Sequence, residues 1–205
     1  MITLTYFNAP GRAEPVRLAL HLSKIPFNDE RLSFQEFAAR KSRGDFPLGS
    51  VPVMTVDGQV FTQTAAMLRY VAKLGGGALY PSDAMQAFVV DSALDTFNDT
   101  LMGALLPSLF ERDADKKLEL RAAFTEGPLT RCCGYVEGLI ARSGGPYLLG
   151  DTLSIADLMI AHQVGQIVRG GLDGVAPSFF DGYPKLKALH EAYAASVLAK
   201  TVDAR

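Results

Sequence analysis

The chain has 205 residues, enough for one domain or for two small ones that share an interface. Hydrophobic residues make up 48% of it and charged residues 20%, so it can bury a substantial core and global disorder is excluded. The formal net charge is −2 and no cluster of Lys and Arg stands out, which argues against nucleic acid and against an anionic membrane surface as partners. Residues 2–7 alternate like a strand and lack the basic start and unbroken apolar run of a secretory signal. Residues 12–23 follow as an amphipathic helix with Val16, Leu18, Ala19, Leu20 and Leu22 apolar, and Pro15 suits its first turn. Residues 27–32 form a second strand candidate and residues 34–39 a short helix. Residues 51–61 read as two strand-like runs around Asp57-Gly58, a dipeptide suited to the positive φ angles of a tight hairpin. Thr64 is placed to cap a helix over 65–74 that ends in Gly75-Gly76-Gly77. The order is strand, helix, strand, helix, hairpin, helix.

After Pro81 the periodicity is helical throughout. Residues 83–112 read as one long helix, with Asp83 and Gln86 at capping-box spacing. Its apolar stretch 101–110 is too short to span a bilayer and is interrupted by Pro107, so a soluble, cytoplasmic protein is expected. Residues 115–143 are helical with a possible break at Gly127-Pro128, residues 154–169 are apolar enough to lie inside a domain, and residues 184–200 close the chain from a first-turn Pro184. An α/β domain over 1–77, a linker over 78–83 and an all-helical domain over 84–205 are therefore expected.

Chemistry has few places to reside. Cys132 and Cys133 are adjacent, no Cys-x-x-Cys pattern exists, and His21, His162 and His190 are scattered, so the expectation is reduced thiols on a helix and no metal. Tyr6 ends the first strand, on the side of an open α/β sheet where ligands bind. A phenolic hydroxyl there is a proton donor at neutral pH. A hydrogen bond from it to a thiolate contributes about 1.5–3 kcal/mol and lowers the thiol pKa by about one or two units from about 8.5. Val51-Pro52 places a proline where a strand opens. Either a cis bond presents the Val51 backbone for pairing with an extended peptide, or a trans proline simply starts the strand. Gln63-Thr64 stands at a helix N-terminus, which attracts a carboxylate. Ser154 and Asp157 have capping-box spacing, with Leu153 as a flanking staple, and read as a folding element.

Taken in order, these features resemble a cytosolic glutathione transferase over nearly the whole chain. The run Tyr6-Phe7-Asn8-Ala9-Pro10-Gly11-Arg12-Ala13-Glu14 is most similar to the tyrosine-using sigma class, and Val51-Pro52-Val53, Asp57-Gly58, Gln63-Thr64 and Ser154-Ile155-Ala156-Asp157 fall at the family's places. The resemblance implies a thioredoxin-like βαβαββα domain followed by an all-α domain, in a two-fold homodimer, with glutathione as co-substrate and no metal. It implies Tyr6 as the catalytic residue on the thiolate, with Arg12 nearby. The glutathione contacts it implies are Phe7, the Val51 backbone beside a cis Pro52, Gln63 and Thr64 on the γ-glutamyl carboxylate, and Lys41 on the glycine carboxylate. Phe37 and Ser50 stand at two further glycine-end positions, and Asp99 is implied to reach the partner subunit's site. A small hydrophobic electrophile is implied near Asn8, Ala9, Leu106 and Phe110.

Two positions depart from the pattern. Phe37 replaces a tryptophan, and Ser50 replaces a glutamine. Two donors are thereby lost or shortened at the glycine end, at a cost of about 1–3 kcal/mol together; Arg40 or Arg43 are the candidates to compensate. Two rival activities share this site, a prostaglandin-type isomerase or peroxidase, and a third reading is a non-catalytic crystallin-like or scaffold protein.

Overall fold

In the computed structural model, which describes residues 1–198, the alternation of the first residues becomes strand β1 (Ile2–Phe7), with Ile2 and Leu4 buried. The chain divides into two compact units, Met1–Tyr80 and a second that starts at Pro81. In the first unit β1 pairs in parallel with β2 (Phe27–Leu32), a geometry that needs a crossover, supplied by helix α1 (Glu14–Leu22). The expected helix start at Arg12 is corrected to Glu14. Gly11 has φ +43°, and residues Gly11–Ala13 form a tight 3-10 turn ahead of the α-helix.

Helix α2 (Phe34–Ser42) starts where expected, at a reciprocal capping box of Ser33 and Glu36, and runs three residues further than the sequence suggests. Strands β3 (Val53–Val56) and β4 (Gln59–Phe61) form the expected hairpin, with Asp57 and Gly58 both at positive φ. The ladder begins at Val53, after a cis Val51-Pro52 bond. The sheet has the order β2-β1-β3-β4, and helix α3 (Thr64–Leu74) follows β4. Thr64 is the first residue of α3 and not its cap. Gln63 holds the capping position, at φ 74°, with no capping bond from its side chain.

In the second unit, α4 (Ala84–Asp95) starts at an Asp83 cap and runs into α5 (Met102–Phe110) through a widened π-helical turn, Thr96–Leu101. The expected single helix is thus two regular segments. Helices α6 (Ala114–Phe124) and α7 (Thr130–Ser143) are joined the same way by Thr125–Leu129. Pro128 sits in that wide turn, where an i→i−4 bond is already forgone, so it does not break the helix. Helix α8 (Ile155–Val168) is buried over most of its length, as its apolar sequence implies, and packs against α4 and α9 (Pro184–Tyr193). A further wide turn covers Ala194–Leu198, and the expected continuation over 199–200 lies outside the described residues.

The Ser154–Asp157 box is complete and buried. Asp157 accepts from the Ser154 amide at 2.7 Å, the Ser154 hydroxyl at 2.6 Å and the Leu148 amide at 3.0 Å, tying the loop before α8 to its first turn. Asp157→Ala strands two buried amides and should lower the unfolding free energy by about 2–4 kcal/mol in urea titration. A loss below about 0.5 kcal/mol would show that the box does not hold the unit together.

Candidate functional site

Strand directions decide where the site residues gather. Because β2 is parallel to β1 and β3 antiparallel to it, one end of the sheet collects the C-terminal ends of β1 and β2 and the start of β3. Since β4 is antiparallel to β3, its C-terminal end and the N-terminus of α3 lie there too. Tyr6, Phe7, Val51, Pro52, Gln63 and Thr64 thus converge by topology. The β1–β3 register stops at Thr5–Val53, so the Val51 peptide lies beyond the ladder.

Tyr6 is half-buried, and its hydroxyl accepts a hydrogen bond from the Arg12 amide at 3.2 Å. The phenolic proton is therefore not consumed by that contact. Gly11 permits it: a Cβ at Gly11 would stand 2.5 Å from the Tyr6 hydroxyl oxygen. The loop carrying Asn8 and Ala9 is exposed. Phe7 meets the Tyr6 ring edge-on, with centroids 5.3 Å apart, and its own centroid lies 4.8 Å from Phe34 and 5.1 Å from Phe37.

Phe37 stacks on Phe46 at 5.4 Å and, with Val51, packs against the buried cluster of Leu32, Phe46 and Val53. Its ring offers no donor. The Lys41 ammonium lies 5.7 Å from the Phe37 ring centroid, and the Lys41 side chain runs beside Gly49, next to the exposed Ser50. The two candidate compensating arginines are engaged elsewhere. Arg40 binds Glu30 at 2.8 Å and Asp45 at 3.2 Å, and Arg43 binds Asp45 at 2.9 Å. Arg43, with Arg40 behind it, holds the Asp45 carboxyl below its ordinary range.

Gln63 and Thr64 differ in kind from their neighbours. Gln63 is an exposed non-glycine residue at φ 74°, a conformation that costs about 1–3 kcal/mol and persists where surroundings enforce it. Thr64 is buried, and its hydroxyl oxygen has no hydrogen-bond partner among the described residues. An orphaned hydroxyl beside the free amides of an eleven-residue helix fits an anionic ligand group.

The remaining sequence candidates are in the second unit. Asp99 is exposed in the wide turn between α4 and α5 and accepts from Asn98 Nδ2 at 2.6 Å. Leu106 and Phe110 are exposed on α5. Cys132 and Cys133 are free and buried on α7, and burial pushes both thiols up, away from nucleophilic use. Among the described residues no group of three or more His, Cys, Asp or Glu could hold a metal ion, and no helix is long and apolar enough to cross a membrane. Sequence reasoning missed Arg17, which is buried against the Tyr6 loop. It also missed the Ser33–Glu36 box, whose spacing was there to be seen.

The glutathione S-transferase N-terminal domain family matches residues 2–73, and the corresponding C-terminal domain family matches residues 98–197. Glutathione S-transferase 3 of Caenorhabditis elegans is 30% identical over 172 residues, covering 82% of this chain and 81% of that protein. S-crystallin SL11 of Nototodarus sloanii is 28% identical over 196 residues, covering 94% and 90%. Among solved structures, prostaglandin synthase D of Nilaparvata lugens superposes with a TM-score of 0.83 at 26% identity, over 100% of this chain and 98% of its own. A glutathione S-transferase of the hookworm Necator americanus, described as monomeric, superposes with a TM-score of 0.78 at 30% identity, over 100% and 97%.

Removing the orphaned hydroxyl gives a test of its burial. Thr64→Val should leave the unfolding free energy unchanged or raise it by up to about 1 kcal/mol, because an unsatisfied polar atom is lost. A fall of about 2 kcal/mol in urea titration would mean that the hydroxyl has a structural partner.

Proposed function

This chain belongs to the glutathione S-transferase family, and on that premise we propose that the Tyr6 hydroxyl holds the glutathione thiolate for attack on a small hydrophobic electrophile. The observation that carries this reading is the Arg12 amide donating to the Tyr6 oxygen. With its lone pair engaged by the backbone, the phenol is fixed in position and its proton is left for the sulfur. At about 1.5–3 kcal/mol, one such bond makes the thiolate a large fraction of the bound thiol at neutral pH.

The rest of the peptide follows the end of the sheet. Its cysteinyl backbone pairs with Val51 next to Pro52, whose peptide lies past the last rung of the ladder. Its γ-glutamyl carboxylate meets the α3 N-terminus at Gln63 and Thr64. This assignment gives a use to the strained φ of one residue and the orphaned hydroxyl of the other. Its glycine carboxylate meets Lys41, the cation beside Gly49 and Ser50. Phe37 contributes apolar contact only, and Ser50 is short, so glutathione is held more firmly at the thiol and γ-glutamyl ends than at the glycine end. Arg12 adds positive charge near the sulfur.

A homodimer in which Asp99 reaches the γ-glutamyl amine of the neighbouring site completes the reading, together with a cytoplasmic location and a detoxifying role. The hookworm relative described as monomeric supplies the alternative assembly. Sedimentation at micromolar concentration separates the two, and a folded monomer with full activity would remove the part given to Asp99.

The 26% likeness to a prostaglandin synthase supports isomerisation of endoperoxides as a second activity at the same site. The 28% likeness to an S-crystallin supports the non-catalytic alternative. One preparation assayed on chloro-dinitrobenzene, an organic peroxide and an endoperoxide distinguishes them. Conjugation of glutathione to chloro-dinitrobenzene is expected. Tyr6→Phe should lower kcat by about tenfold to hundredfold, the equivalent of one to two pKa units, while KM for glutathione stays within about threefold. Equal turnover in the two proteins would remove Tyr6 from its role, and an absence of all three activities would favour the crystallin-like reading.

A further inference from the structure

The loop that presents Tyr6 and Arg12 is itself held by a buried cation. Arg17, on α1, is only 1% exposed. Its Nη1 donates to the Ala9 carbonyl at 2.9 Å and the Pro10 carbonyl at 3.2 Å, the two carbonyls immediately before Gly11. Its Nε donates to Asp29 Oδ1 on β2 at 2.9 Å, and Glu14 Oε2 stands 3.2 Å from Nη1. A buried guanidinium is costly to desolvate, and two carboxylates offset part of that cost, while Nη2 is buried with no hydrogen-bond partner among the described residues.

The contacts close a circuit around the loop. Asp29 Oδ2 accepts from Arg31 Nε at 2.9 Å, and Arg31 Nη1 donates to Asn8 Oδ1 at 3.2 Å. Asn8 is therefore gripped from β2 while Ala9 and Pro10 are gripped from α1, although all three residues are exposed. An exposed loop otherwise has few contacts to fix it. The guanidinium carbon also lies 5.9 Å from the Tyr6 ring centroid, so the clamp reaches the ring as well as the Pro10 carbonyl, two residues before the amide that hydrogen-bonds the Tyr6 hydroxyl.

We infer that Arg17, seated by Asp29, is a positioning residue that sets the Arg12 amide against the Tyr6 hydroxyl and so fixes the direction in which the phenol donates. The inference rests on the thiolate role proposed for Tyr6. It touches no substrate atom itself. Its loss lets the Gly11–Ala13 turn shift on the loop, so the Tyr6 donor meets the sulfur less often, while the peptide contacts at Val51, Gln63 and Thr64 remain.

The readout is the pKa of the bound glutathione thiol, followed by the ultraviolet absorbance of the thiolate, alongside KM and kcat. It is measured on the full chain for wild type, Tyr6→Phe, Arg17→Met, Arg17→Lys and Asp29→Ala. Arg17→Met should raise the thiol pKa by about one unit, a tenfold loss of thiolate well below the pKa, with KM for glutathione within about threefold. Arg17→Lys, which keeps the charge and part of the carbonyl contact, should recover about half of that shift, and Asp29→Ala should raise the pKa by about half a unit. If Arg17→Met does not fold, Arg17→Lys and Asp29→Ala carry the test. A wild-type thiol pKa in folded Arg17→Lys and Asp29→Ala, with Tyr6→Phe shifted, overturns this inference alone. A wild-type pKa in Tyr6→Phe overturns the role of Tyr6 and the inference with it.

Discussion

The contact on which the proposed site depends is the hydrogen bond from the Arg12 amide to the Tyr6 hydroxyl. A phenol at a strand end can swing on two torsions, and a catalytic donor must be held within a fraction of an ångström to be worth its full interaction energy. Here the backbone of the next turn does the holding. That turn is tight because Gly11 takes φ +43°, and it approaches the ring closely because Gly11 has no Cβ. Behind it, Arg17 ties the preceding carbonyls to α1 and, through Asp29, to β2. A chain of polar contacts thus runs from the edge of the sheet to the hydroxyl oxygen.

Elsewhere in the first unit, local stability is given up where the proposed γ-glutamyl carboxylate would restore it. Gln63 occupies a backbone region that favours glycine, and Thr64 buries a hydroxyl without a partner. Together these features cost the free protein several kcal/mol on ordinary magnitudes. The surroundings proposed for the glycine carboxylate are organised differently. Arg40 and Arg43 are spent on Glu30 and Asp45, which fasten α2 to β2 and to the loop after it, and Lys41 is left as the cation beside Ser50. The departures at Phe37 and Ser50 are therefore not made up by a neighbouring guanidinium.

Much of this was legible in the residues. Alternation, Asp57-Gly58 and the triple glycine marked the strands, hairpin and helix end of the first unit, and the Ser154–Asp157 spacing marked the start of α8. Tyr6 and Gln63-Thr64 stood out at a strand end and a helix start, but the roles proposed for them came from the family resemblance. What local patterns could not give was the long-range partner. Thr64 looks like a cap in sequence, and only the backbone shows that Gln63 holds that position at positive φ. Arg17 looks like a solvated charge on an amphipathic helix, and only the fold brings the loop and β2 against it. Pro128 looks like a helix breaker, but a widened turn absorbs it.

The most direct measurement is a crystal structure of the protein with glutathione bound. The sulfur is expected within about 3.2–3.5 Å of the Tyr6 hydroxyl oxygen, with the cysteinyl backbone paired with Val51 and the γ-glutamyl carboxylate on the Thr64 hydroxyl. A sulfur that approaches another side chain, with Tyr6 still bonded only to the Arg12 amide, would contradict it.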